Sequence, residues 1–352
     1  MTKPIANGPR PLGVEARRRR AVSISQGGLV NVECLLPDAT LPLVVRPATG
    51  GVNLTEWAAR NRELVEEHLL RAGALLFSGF ALKSARQFEE FIEMLAGELL
   101  EYSYRSTPRS HVSGRIYTST EYPADQSIPL HNEMAYAAHW PMKLWFFCAE
   151  PATRGGETPV ADSRRVFLRI DPAVRERFER GGVMYVRNYG AGLDLTWQNV
   201  FQTSDRAEVE AYCRRAGMDF EWRGAGRLRT RQVCQATATH PLTGERVWFN
   251  QAHLFHVSSL EHAVRESLLA LASEEELPRN AFYGDGTPIE AAALAEIREV
   301  YRREAVVFPW QAGDVLMLDN MLAAHGRNPF GGPRKVLVGM AESFGRGVPG
   351  AD

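Results

Sequence analysis

From about residue 100 onward the chain is a train of short apolar runs rich in β-branched and aromatic residues, each closed by Gly, Pro, Asn or Asp. RIYTSTEYP, MKLWFFCAEP, GGVMYVRNYG, ERVWFNQ, AVVFPW, DVLMLDN and KVLVGMAESF follow one another in this way. Many short strands separated by turn signals suit a barrel or a double-sheet jelly roll. Helical patterns are inserted between them, at 206–215 and 289–302. Before residue 100, Asn53 opens a helix carrying Leu64, Val65, Leu69 and Leu70 at helical spacing, and Ser84–Leu95 forms a second amphipathic stretch. Leu41–Arg46 and Ala72–Phe80 read as strands. The expected fold is therefore α+β and mainly β: a double-stranded β-helix, or jelly roll, with flanking helices and helical insertions.

No internal repeat or linker divides the chain of 352 residues, and a barrel of this length is compatible with one domain. Residues 1–28, rich in Pro and Gly, are expected to be a flexible leader, and 29–352 a single domain. The run Arg17–Arg20 is most simply a solvated part of that leader. A formal net charge of -1 gives no electrostatic reason to expect nucleic acid as a partner. Cys34, Cys148, Cys213 and Cys234 form no CxxC pair, so neither a zinc knuckle nor a redox dithiol is suggested. No apolar run is long enough to span a bilayer, and Met1–Gly13 lacks the apolar core of a signal peptide. No membrane partner is expected, and the expected compartment is the cytoplasm.

The chemistry concentrates at His131-Asn132-Glu133. On a strand, residues i and i+2 share a face, so an imidazole and a carboxylate could meet one Fe(II), Mn(II) or Zn(II). Taken alone the pair is a weak signal, because a surface His near a Glu is the usual outcome. A third ligand is available far along the chain, where Trp310–Asn320 turns into a buried strand and His325-Gly326-Arg327 follows. Two His and one carboxylate on one face of a metal leave positions open for a bidentate oxo-acid and O2. No H-E-x-x-H is present, and the P-C-x-x-C of zinc deaminases is missing.

The pieces Leu130-His131-Asn132-Glu133, Gly155-Gly156-Glu157-Thr158 and His325-Gly326-Arg327…Arg334 together resemble the taurine dioxygenase and clavaminate synthase-like oxygenases, over roughly residues 40–345. The resemblance implies an Fe(II)- and 2-oxoglutarate-dependent dioxygenase with O2 as co-substrate. It also implies His131, Glu133 and His325 as iron ligands and catalytic residues. Thr158 and Arg334 would then bind 2-oxoglutarate, Arg334 as a guanidinium fork on the far carboxylate. Arg327 stands so near His325 that a structural salt bridge is the simpler reading for it. Related halogenases lack the carboxylate, so Glu133 favours hydroxylation, or its variants desaturation and epoxidation.

A narrower resemblance bears on substrate. WQNVFQTSDRAEVEAYCRRAG, HPLTGERVWFNQAHLFH, YGDGTPIE and MLAAHGRNPFGGPRKVLVGM look like the syringomycin-type aspartyl hydroxylases. This implies an amino acid, or an aminoacyl group on a carrier protein, as substrate in natural-product (antibiotic) biosynthesis. Ser127, four residues before His131, would face the metal if strand parity holds through Pro129. Asn250 and Gln251 offer amide groups to a substrate, although loop capping is their commoner use. His139, His253 and His256 are most simply packing or surface residues. Two other readings stay open: the same chemistry on a free sulfonate, betaine or organic acid, and a non-catalytic metal-binding jelly-roll sensor. The sensor would close its metal with a fourth ligand and would have no use for Thr158 and Arg334.

Overall fold

The structure is a computed structural model that describes residues 26–37, 39–101, 110–120, 122–190 and 195–345. Arg17–Arg20 and nearly all of the expected leader lie outside these residues. The strands, in chain order, are β1 (Val30–Cys34), β2 (Leu43–Pro47), β3 (Ala74–Phe77), β4 (His111–Ser113), β5 (Ile116–Thr118), β6 (Ile128–His131), β7 (His139–Glu150), β8 (Arg154–Gly155) and β9 (Val160–Asp162). They continue as β10 (Val183–Tyr189), β11 (Asp219–Arg223), β12 (Arg227–Cys234), β13 (Thr237–Thr239), β14 (Arg246–Trp248), β15 (Arg279–Tyr283), β16 (Val315–Asp319), β17 (Ala323–Arg327), β18 (Phe330–Gly331) and β19 (Lys335–Gly345).

Eight strands form the main sheet in the order β1-β2-β3-β16-β7-β19-β5-β4. Only β2 and β3 run parallel, across the helical connection between them. Period-two alternation splits this sheet into two apolar faces. Trp145, Phe147, Val315, Met317 and Leu337 pack under the helices Leu54–Arg60, Arg62–Ala72 and Ala85–Ala96. Leu144, Phe146, Leu316, Leu318, Val336 and Val338 face the other way, onto Val160 and Ala323 of a three-stranded sheet ordered β6-β17-β9. Burial on both faces explains why MKLWFFCAE and DVLMLD read as continuous apolar runs rather than alternating ones.

Behind the small sheet, Ala161 and Ala324 join a second core built on the sheet β11-β12-β10-β15 and the helices around it. The small sheet is thus held between two cores, so its strands have little freedom to move. Among the described residues, no helix is long and apolar enough to cross a membrane.

Several local expectations hold. Asn53 accepts a hydrogen bond from the Glu56 N–H, and Ser84 one from the Gln87 N–H, each capping a helix. The inserted helix Arg206–Arg215 has the predicted bounds. Two expectations fail. The helix that Asn53 caps ends at Arg60, and Leu64, Val65, Leu69 and Leu70 lie on a second helix, Arg62–Ala72. AVVFPW is not a strand: only Val306 makes a bridge, to Val160, because Pro309 cannot donate to a ladder.

Candidate metal centre

In β6 and β17, His131 and His325 are direct cross-strand partners. Their ring centroids lie 4.5 Å apart. With Glu133 they form a group whose ligand atoms all fall within 4.8 Å of one another. Among the described residues no fourth His, Cys, Asp or Glu joins it. Nδ1 of His131 lies 2.8 Å from the Pro129 carbonyl, so it carries the proton and leaves Nε2 as a lone-pair donor. Phe146 covers His325 from the main sheet, with centroids 4.9 Å apart. Two imidazoles and a carboxylate gathered on one spot suit a divalent first-row metal.

The reason Glu133 reaches this spot differs from strand alternation. β6 ends at His131, and Glu133 lies in the following turn, where Met134 adopts a left-handed φ of 57°. A non-glycine residue there is uncommon and costs about 1 kcal/mol or more. The turn is held by long-range hydrogen bonds. Gln251 Nε2 donates to Asn132 O at 2.7 Å, and His253 Nε2 donates to Leu130 O at 2.9 Å. Burial drives the His253 imidazole down to about 3, so the ring stays neutral.

These bonds also settle where the candidate substrate residues sit. Asn250 is buried, donating to Ala236 O and accepting from the Ala252 N–H. It caps its own loop, while Gln251 braces the metal-site turn. Ser127 lies outside β6 and is exposed, and a bulge between His325 and Arg327 resets the pairing with β6. The parity argument that aimed Ser127 at His131 therefore fails.

Arg334 is tied to Gly156, two residues before Thr158. Thr158 is buried and its Oγ1 accepts the Trp310 indole N–H at 3.1 Å, leaving the hydroxyl proton for another acceptor. Arg334 donates from Nε to Gly156 O at 2.9 Å and from a terminal nitrogen to Ser119 Oγ at 3.3 Å. Among the described residues it has no carboxylate partner. Burial first, then the neighbouring Arg327 guanidinium, lowers its pKa to about 10, which still leaves it charged at neutral pH. A half-buried guanidinium with no carboxylate in hydrogen-bond contact is a ready anion site. Arg327 forms no salt bridge with any described residue. It donates instead to the carbonyls of Tyr122, Pro123 and Gln126, and ties down the loop before β6.

The glycines of Gly155-Gly156-Glu157-Thr158 are required sterically. At Gly156, with φ +75°, an added Cβ would stand 3.0 Å from both Cδ and Nε of Arg334. Gly156→Ala is expected to destabilise the fold by about 1–2 kcal/mol, which thermal denaturation checks.

A single family description, "Taurine catabolism dioxygenase TauD, TfdA family", matches residues 40–341. The chain belongs to that family, and it is an Fe(II)- and 2-oxoglutarate-dependent dioxygenase using O2. Among its relatives, the dapdiamide synthesis protein DdaC of Enterobacter agglomerans is 42% identical over 312 residues, covering 89% of this chain and 94% of DdaC. A clavaminate synthase-like protein of Arabidopsis thaliana is 32% identical over 317 residues, covering 87% of this chain and 92% of the relative. In fold the chain is similar to PvcB, described as an Fe, alpha-ketoglutarate dependent oxygenase from an isonitrile synthetic pathway. That likeness has a TM-score of 0.53 at 14% identity, covering 92% of this chain and 94% of PvcB.

The side chains that brace the site were not visible as functional in the sequence. Asn320 and His253 stand inside quoted stretches, but as turn and packing residues. Their role depends on partners 120 to 190 positions away, which no local pattern encodes.

Proposed function

We propose that this dioxygenase hydroxylates an amino acid, or an aminoacyl group tethered to a carrier protein, in the assembly of a natural product. The observation that carries the chemistry is the cluster of His131, Glu133 and His325, whose ligand atoms lie within 4.8 Å of one another with no fourth such ligand among the described residues. The substrate class rests on the near full-length similarity to DdaC and on the four stretches similar to aspartyl hydroxylases.

In this reading His131, Glu133 and His325 hold iron(II), which supplies the oxygen activation when bound. Arg334 binds the distal carboxylate of 2-oxoglutarate through paired N–H donors, and the Thr158 hydroxyl donates to the same end. Fixing that end would orient the keto acid for reaction. Phe146 and the apolar face behind it keep water from the reacting atoms. Glu133 fills the position a halide would need, which supports oxygen transfer. Asn250 and Gln251 support the loop and the turn rather than the substrate.

We further infer that the main sheet and β6-β17-β9 are the two walls of a double-stranded β-helix, supported by the apolar layer between them. One domain over 29–352 is part of the same reading, as is a cytoplasmic setting, supported by four cysteines that form no disulfide.

The test is mass spectrometry of free and carrier-loaded amino acids after aerobic turnover with Fe(II) and 2-oxoglutarate. A gain of one oxygen on an amino acid or aminoacyl carrier is the expected result. Loss of two hydrogens would instead indicate desaturation. Succinate formation coupled only to a sulfonate, betaine or simple organic acid would overturn the substrate class.

A further inference from the structure

We infer that Asn320 is a positioning residue that fixes Glu133 relative to His325. The inference rests on the proposed metal ligands. Asn320 is completely buried and sits in the turn joining β16 to β17, five residues before His325. Its Oδ1 accepts the Glu133 N–H at 2.7 Å, and its Nδ2 donates to Glu133 O at 2.9 Å and to Pro141 O at 2.8 Å. Its own carbonyl accepts from Asn132 Nδ2 at 2.7 Å, and its N–H donates to Met142 O at 2.8 Å. Three of these bonds go to Asn132 and Glu133, and two to Pro141 and Met142 in β7.

This arrangement joins the two distant halves of the cluster. β17 brings His325, and the same turn grips the backbone on both sides of Glu133. The left-handed Met134 follows directly, where the chain reverses, and both main-chain polar groups of the preceding Glu133 are bonded to Asn320. The turn itself is anchored from below. Asp319 Oδ1 accepts the N–H groups of Met321 and Leu322, and Oδ2 accepts from His240 Nε2 at 2.9 Å. Removing the Asn320 amide would take its hydrogen bonds from the buried Glu133 N–H and O and free the turn to rotate. The carboxylate would then lose its place in the triangle, while both histidines kept theirs.

The test is the Fe(II) dissociation constant measured anaerobically by titration, in parent, Asn320→Ala, Asn320→Asp, His131→Ala and Phe178→Leu proteins, alongside thermal denaturation. Asn320→Ala is expected to bind Fe(II) about 10- to 100-fold more weakly. Asn320→Asp keeps the acceptor for the Glu133 N–H but loses both donors; it is expected to weaken binding at least about fivefold, and it serves if the alanine variant does not fold. Phe178→Leu lowers stability from the remote second core and is expected to leave Fe(II) affinity within about twofold. A folded Asn320 variant with parental Fe(II) affinity, while His131→Ala loses the metal, overturns the positioning role alone. Parental affinity in His131→Ala overturns the ligand assignment beneath it.

Discussion

His325→Ala is expected to lower succinate formation at least about 10³-fold, equivalent to ~4 kcal/mol of lost transition-state stabilisation. The imidazole has no substitute nearby, since no fourth metal-ligating side chain joins the group among the described residues. Water can fill the vacated position, but it carries no strand to fix it. His325 is buried against Phe146 and paired in register with His131, so its geometry is set by the sheet and not by the metal. The variant should fold, because alanine is accepted in a strand that already reads Ala323-Ala324. Coupled succinate assays over an Fe(II) series measure the effect. Turnover within tenfold of the parent at saturating Fe(II) would remove His325 from the ligand set.

Arg334→Gln is expected to raise KM for 2-oxoglutarate about 10²- to 10³-fold, or ~3–4 kcal/mol, the range for breaking a buried hydrogen-bonded charge pair. Removing a contact made equally in ground and transition states leaves kcat close to the parent's at saturation. Arg334→Lys keeps a charge but not the planar fork held by Gly156 O and Ser119 Oγ, and should fall between the two. Initial rates against 2-oxoglutarate concentration separate these outcomes. A change confined to kcat would place Arg334 elsewhere in the mechanism.

Much of this architecture was legible in the residues. The apolar runs of β7, β16 and β19 announced themselves because strands buried on both faces are continuous in hydrophobicity. The residues the fold gathers into the candidate metal cluster stood in recognisable motifs, because a fixed chemistry demands fixed side-chain types. What could not be read was how the pieces are held. The bulge in β6 and the left-handed Met134 changed which residues share a face, so alternation named Glu133 for the wrong reason and aimed Ser127 wrongly. Gln251 and Arg327 looked like a substrate amide and a salt-bridge partner. In the fold, each satisfies main-chain carbonyls, a use that depends on loops brought close only by tertiary structure.

The most direct measurement is iron-edge anomalous diffraction from crystals grown anaerobically with Fe(II) and 2-oxoglutarate. One iron is predicted, ~2.1 Å from a nitrogen of His131, a nitrogen of His325 and a carboxylate oxygen of Glu133, with 2-oxoglutarate chelating it and reaching Arg334. Iron bound at another place, or closed off there by a fourth protein ligand, would contradict the account.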